Sequence, residues 1–445
     1  MTASNSKSDI TWGRHQVGSW LDTILCGSIL LFSPLMIIFY WITLTYFDAS
    51  FSAALSSLSS LGLLTFFVQH FPRPEYTASV YYAGWIAFQI TLYLFLPAKW
   101  NSGQLTPAGF LLKYKTNGLL AWLVTHVLYF TACALGYLDP AIIPKHWEGF
   151  LIAANVSGYI LTTFAFIKAH VAPTHPTDSK FSSSHIYDYY MGIELNPQIT
   201  KYFDFKLFTN GRPGIVAWTL IDISNIAYQY QQHGIITNSI IVVTILHAIY
   251  VVDFFYNEDW YLRTIDICHD HFGFYLAWGS LVWLPMIYTL QTQYLALHPL
   301  VLPNYVAIFF LCTGLSGYLL FRSVNHQKDL VRRTQGECLI WGEKPQLVRV
   351  KYQTKDGLEH NSILLCSGWW GYARHVNYLG DLILSYSMCA VCGLDHLLPW
   401  TYAIFMTILL THRCWRDEER CSLKYGKGWE NYCKRVKWVI CPGIF

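Results

Sequence analysis

The sequence predicts an all-α, multi-pass transmembrane helix bundle of about ten spans, with a small polar cap near its C-terminus. Three observations predict it. Of 445 residues, 53% are hydrophobic and 13% charged, where a soluble chain carries roughly 25% charged residues. Apolar runs long enough to cross a bilayer as helices recur from residue 19 onward. Two basic, polar stretches, 322–377 and 412–437, flank one apolar hairpin at 379–411. That arrangement sets two charged surfaces side by side on one face of a membrane.

The runs fall at 19–46, 78–98, 116–138, 146–170, 213–232, 234–257, 271–293 and 300–322. Two shorter crossings follow within 379–412, turning near 393–399. The Ser-rich run 51–71 is weaker, and is either a further crossing or a non-spanning segment. Loop charge decides. With 51–71 left out and the N-terminus cytosolic, three loops share the cytosolic side with 323–378 and the tail. They are 99–115 (Lys99, Lys113, Lys115), 171–212 (Lys180, Lys201, Lys206, Arg212) and 258–270 (Arg263). The opposite loops at 233 and 294–299 carry no Lys or Arg, and Arg73 and Lys145 are the exceptions. This is the positive-inside pattern, and it selects ten spans. The organisation expected is a short cytosolic N-terminus (1–18), a transmembrane bundle (19–322), and a C-terminal cytosolic region (323–445) into which the membrane hairpin 379–412 is inserted. Alternation across 348–365 predicts a β-hairpin turning at Lys355-Asp356-Gly357 within the cap.

Composition excludes several classes. A net charge of +3 is too small to imply nucleic acid. The 18 Trp, 31 Tyr and 27 Phe exceed what interfacial belts use and suggest an aromatic-walled apolar cavity. The first apolar run is too long for a cleaved signal and is read as a retained span. The 12 Cys show no disulfide framework. Cys26, Cys133 and Cys312 lie in apolar segments as packing residues. Cys389-x-x-Cys392 has redox or zinc spacing but sits mid-span without a second pair. None of the 17 His forms a His-x-x-His pair, so no metal site is expected. No Gly-x-Gly-x-x-Gly follows a strand, so a dinucleotide would bind outside any Rossmann site.

Four constellations carry chemistry. Lys328 and Arg332 are four apart on a helix leaving the membrane, which puts two cations on one face. That is either a phosphate grip or ordinary snorkelling charge. The stretch 367–381 holds Trp370 and Tyr378, flat faces for an adenine or nicotinamide ring, with Asn377 and Asp381 for ribose or amide contacts. The alternative is an interfacial aromatic turn. In 412–426, Arg413, Asp417, Cys421 and Lys424 share one helical stripe and Arg416 and Arg420 the next. They form a cofactor wall or a salt-bridged amphipathic helix. Finally, Glu258, Asp259, Asp266, His269, Asp270 and His271 gather at a helix end, where buried ionisable groups are functional candidates.

The segments 325–332, 367–381 and 412–432 resemble the signatures of the sterol reductase family, which includes sterol C14-reductases, the lamin B receptor and 7-dehydrocholesterol reductases. The resemblance runs from Trp12-Gly13-Arg14 to the final Pro442-Gly443-Ile444-Phe445. Stretches 191–197, 203–214 and 266–279, the last containing His269-Asp270-His271-Phe272, are similar to the 7-dehydrocholesterol reductase branch. The resemblance implies NADPH as cofactor. It carries the family's cofactor residues onto Lys328, Arg332, Leu365, Trp370, Asn377, Tyr378, Asp417, Cys421, Ser422, Leu423, Lys424, Tyr425 and Tyr432.

The reaction so implied is reduction of the C7=C8 bond of a 5,7-diene sterol in sterol biosynthesis. An unactivated alkene resists hydride, so protonation to an allylic cation must precede or accompany hydride transfer. Asp417 and Tyr425 are the candidate proton donors, with His269 and Asp266 in reserve. The competing readings are a sterol C14-reductase and a non-catalytic sterol-binding membrane protein. Expected partners are a sterol from the bilayer, membrane lipids and other sterol-pathway enzymes. The expected location is the endoplasmic reticulum membrane in a eukaryote, or the inner membrane in a bacterium.

Overall fold

The computed structural model describes residues 19–445. The expectations for segment 1–18, Trp12-Gly13-Arg14 included, lie outside the described residues. Five helices are long and apolar enough to cross a membrane: Trp20–Tyr46, Tyr76–Phe95, Trp147–Val171, Asn238–Tyr256 and Asn304–Arg333. The stretch 51–71 is not a straight crossing. It forms two short helices, Phe51–Leu61 and Leu63–His70, bent by 118° at Gly62, and counting them as one span gives six.

The remaining expected crossings are built differently, so long apolar helices alone do not supply ten. Gly118–Ala134 is apolar but only 17 residues long. The run 213–232 becomes the helix Val216–His233, which buries Asp222, Asn225 and Gln229 among its apolar residues. It is entered through a π-helical turn, Asn210–Ile215, that accommodates Pro213. The run 271–293 is broken into Phe274–Trp278, a second π-helical turn Gly279–Trp283, Leu284–Ile287 and Leu290–Leu297. Non-helical or polar backbone is tolerated at such depth only when protein surrounds it, and Thr289, Gln291, Thr292 and Gln293 are buried here. The hairpin 379–412 is realised as Val376–Ala390 and Thr401–Tyr425, and the second helix continues unbroken into the charged tail.

The chain is also not wholly α-helical. The hairpin expected at 348–365 forms from Leu347–Gln353 and Glu359–Leu365, with Lys355-Asp356-Gly357 in its turn. A second hairpin pairs Lys99–Leu105 with Leu111–Thr116, and a third short pair joins Gln198–Thr200 to Phe203–Asp204. The loop 99–115 carries little alternation, which is why its strands escape a reading by periodicity.

Contacts bring several of the basic loops together. The hairpin-turn residue Lys355 donates its backbone N–H to Pro107 O and its ammonium to Thr177 O, both at 2.9 Å. Arg263 pairs with Asp329 at the end of the helix Asn304–Arg333. That helix runs without a break through the expected boundary at 322/323, so bundle and cap are mechanically one body. It is clasped to Val376–Ala390 through glycines: a Cβ on Gly317 would lie 2.6 Å from Gly380 O, and one on Gly380 2.6 Å from Gly317 O. Small residues allow this backbone approach, as is common between membrane helices.

Candidate active site

The cap is a wedge between two helices. Successive residues of Glu359–Leu365 face opposite ways. Ile363 and Leu365 pack with Val324, Val331 and Trp370 on the side of Asn304–Arg333. Leu364 packs with Cys421, Trp429 and Tyr432 on the side of the tail helix Thr401–Tyr425. Between them opens a cleft with about 570 Å³ of space, part of it open to solvent, walled by Lys328, Arg332, Leu365, Trp370, Asp417, Cys421, Tyr425 and Tyr432 from the sequence expectation. Arg374, His375, Arg420 and Trp429 complete the walls. These four went unassigned in the sequence, although Arg374-His375 lies inside the aromatic motif and Arg420 in the basic helix.

Five expected residues do not wall the cleft. Ser422 and Leu423 are exposed on the outer side of the tail helix. Lys424 lies with its ammonium 3.9 Å from the Tyr352 ring. Asn377 and Tyr378 begin the helix Val376–Ala390 at the inner end, where Tyr378 stacks on His375 at 5.0 Å and 7°.

Charge in the cleft is unevenly paired. Arg420 pairs with Asp417 at 2.6 Å, Arg374 with Glu418 at 3.1 Å, and His375 Nε2 lies 3.8 Å from Asp417. Lys328 and Arg332 close no salt bridge among the described residues, although the Lys328 charge acts on Asp417, and Lys328 Nζ lies 4.2 Å from the Trp370 ring. Asn377 Oδ1 is buried without a hydrogen-bond partner. Two cations outside any salt bridge and an orphaned amide oxygen match what a dinucleotide offers, namely phosphates and a carboxamide N–H. The residues present fit the cofactor.

The candidate acids are placed unfavourably for donating a proton. Burial alone would raise the Asp417 carboxyl, but Arg420, His375 and Lys328 outweigh it and hold it well below the usual carboxylate range. Asp417 is thus ionised at neutral pH. Arg413 and Arg416, on the same helix, are occupied elsewhere. Arg413 binds both oxygens of Asp266, at 2.7 and 2.9 Å, and Arg416 pairs with Asp270. His269, beside them, is pushed well below the ordinary imidazole value by burial and by Arg420 and Arg416. Burial raises the Tyr425 phenol, whose ring meets Tyr352 edge-on at the outer side of the cleft.

The loop carrying Asp266 and Asp270 is held by Lys206, whose buried ammonium donates to Leu195 O, Ile267 O and Asp270 O at 2.9, 2.8 and 2.5 Å. Nothing in the sequence spacing foretold this. Inward from Arg413 the bundle becomes aromatic. Its charge reaches the half-buried phenols of Tyr275, Tyr288 and Tyr378. Tyr288 in turn meets Tyr402 at 5.0 Å and Trp218 at 5.2 Å. Asp381, expected at ribose or amide contacts, is buried on the helix Val376–Ala390 and does not wall the cleft.

Residues 23–445 match the model of the Ergosterol biosynthesis ERG4/ERG24 family. The chain is a sterol reductase by family. It is 49% identical to the 7-dehydrocholesterol reductase of Danio rerio over 456 residues, covering 99% of this chain and 95% of the relative. It is 48% identical to that of Xenopus laevis, covering 98% and 94%. The Delta(14)-sterol reductase of Methylotuvimicrobium alcaliphilum is 35% identical over 99% of this chain and 98% of its own. The polar cleft and the aromatic interior around Tyr288 and Trp218 lie in the same chain, joined by the helix Thr401–Tyr425.

Proposed function

We propose that the chain reduces the C7=C8 double bond of 5,7-diene sterols with NADPH, in the endoplasmic reticulum membrane if its source is a eukaryote. The identity to two 7-dehydrocholesterol reductases, near one half over the full length, supports this bond over C14=C15. The Delta(14)-sterol reductase relative at 35% keeps the C14-reductase as the second reading.

Protonation at C8 leaves the cation at C7, where it is conjugated with C5=C6. Hydride arriving at C7 then leaves the C5=C6 bond intact. The bound cofactor supplies that hydride. Lys328 and Arg332 would hold its phosphates, and Asn377 Oδ1 would accept from its carboxamide. Asp417, kept ionised, fixes Arg420 and stands 3.8 Å from His375 Nε2. Tyr425 and Tyr432 close the outer wall. The proton must reach the sterol face turned away from the cofactor, and the phenols of Tyr250, Tyr275 and Tyr288, inward of the cleft, are the groups that would line that face. The same aromatic walls exclude water that would capture the cation, and ring faces attract it. Incubating the purified protein with NADPH and a Δ7 or a Δ14 diene, followed by product analysis, tests the proposal.

A further inference from the structure

Two polar groups inside the bundle are left unused by this mechanism. His247, on Asn238–Tyr256, directs Nδ1 to Asp222 Oδ2 at 2.9 Å. Asp222 Oδ1 accepts the hydroxyl of Thr292 at 2.7 Å. All three side chains are fully buried. A carboxylate only accepts, so Nδ1 carries a hydrogen and the ring orientation is fixed. That leaves Nε2 as the free end, and it has no partner. Trp218 lies against it, ring centroids 5.0 Å apart, and its indole N–H is also buried without an acceptor. Orphaned groups of this kind are costly inside a protein. Here two stand together, one a donor and one bearing a lone pair.

A single hydroxyl satisfies both. Its oxygen accepts from Trp218 Nε1–H, and its hydrogen is donated to His247 Nε2. Should the imidazole be doubly protonated, the hydroxyl oxygen serves it equally well. On the side away from Asp222 and Thr292 the neighbours of Trp218 are aromatic: it meets Tyr250 at 5.4 Å and Tyr288 at 5.2 Å, the phenols that lead back to Arg413. His247 and Tyr250 are three apart on one helix and so share a face. The ligand that fits is a large hydrocarbon with one alcohol, lying with that alcohol at His247 and its body along Tyr250 and Tyr288.

We propose that Trp218 Nε1 and His247 Nε2 bind the 3-hydroxyl of the sterol, with Asp222 and Thr292 as positioning residues that hold the imidazole. The inference rests on the reading of the chain as a reductase of diene sterols. It adds that the hydroxyl, remote from the reacting bond, sets the register that brings C7 to the cleft.

The experiment uses the full chain in detergent with NADPH and three substrates: a 5,7-diene sterol, its 3-methyl ether, and the 3-deoxy hydrocarbon. Wild type should prefer the free alcohol by at least about tenfold in kcat/KM, carried mainly in KM. Trp218→Phe should abolish the preference, bringing kcat/KM on the alcohol and on the two analogues to within about twofold of one another, and leave the KM for NADPH unaltered. Thr292→Val should weaken the preference in part. Equal use of all three substrates by wild type overturns the hydroxyl site while the reductase reading stands, and that arm needs no variant to fold. Retention of the full preference by Trp218→Phe overturns it too. If no diene is reduced, the reductase reading falls. The site is then judged by equilibrium binding of radiolabelled sterol, where competition by the methyl ether as strong as by the alcohol overturns it.

Discussion

Asp417 and Arg420 stand one helical turn apart and close an ion pair at 2.6 Å on the wall of the cleft. The pair accounts for a carboxylate that stays ionised although it is buried on the wall of the cleft. Arg420 and His375 both lean on it, so its ionised form is part of the architecture rather than a proton store.

Asp417→Asn should therefore act on binding. Releasing Arg420 and His375 should raise the NADPH KM by roughly 10-fold, equivalent to about 1.4 kcal/mol. Tyr425→Phe should also act on NADPH more than on turnover. Fluorescence titration with NADPH beside steady-state kinetics separates the two effects. A loss of kcat near 10²-fold at normal NADPH affinity, the usual mark of a lost general acid, would reinstate Asp417 or Tyr425 as the donor.

Arg332 lacks a counter-ion among the described residues and faces the cleft. Arg332→Ala should weaken NADPH by about 10-fold, one charge-assisted contact being worth roughly 1.5–3 kcal/mol. Wild type should strongly prefer NADPH to NADH, and comparing both cofactors across wild type and variant checks this. Equal use of the two by wild type would refute the assignment of the cationic pair to phosphate.

Burial lowers the His375 imidazole from 6.5 to about 4, against an opposing pull from Asp417. Between those values the unfolded chain holds a proton that the folded one does not, so stability rises with pH across the window. Acidifying from pH 6.5 towards 4 should then destabilise the protein, and His375→Gln should flatten part of that slope. Thermal melts of both proteins across the window measure the difference. Parallel slopes would show that His375 is not the group responsible.

How much of this was legible in sequence follows from the range of each interaction. Lys328 and Arg332 are found by spacing alone, since one helix carries both. The Leu347–Gln353 and Glu359–Leu365 hairpin is found by alternation. By contrast, Arg413 meets Asp266 and Arg416 meets Asp270 across some 150 residues of chain, and no local period encodes that. The π-helical turns and the polar helix Val216–His233 misled the span count for a related reason. Hydropathy scores a residue by its own chemistry, whereas Asp222 and Thr292 are tolerated because each satisfies the other.

The glycine clasp predicts a stability effect remote from the cleft. Gly317→Leu would drive a side chain into Gly380 O, 2.6 Å from where its Cβ must sit. Overpacking of this kind costs about 1–3 kcal/mol or more. A lower melting temperature and poorer yield in detergent are expected. An unchanged melting temperature would mean that the two helices part easily.

Tags placed after Phe445 and in the turn at Lys355 should both be reached from the cytosol in selectively permeabilised cells, because the basic loops gather on one side. Tags on opposite sides would break the pairing of cap and tail seen in the cleft.

The central claim is that this chain reduces the C7=C8 bond of a 5,7-diene sterol at the expense of NADPH. The most direct measurement supplies the purified protein with NADPH and, separately, a 5,7-diene and a Δ14 diene sterol, and identifies the products by mass spectrometry and NMR. The account predicts a Δ5 product from the 5,7-diene and little turnover of the Δ14 diene. Reduction of the Δ14 diene alone, or of neither, would contradict it.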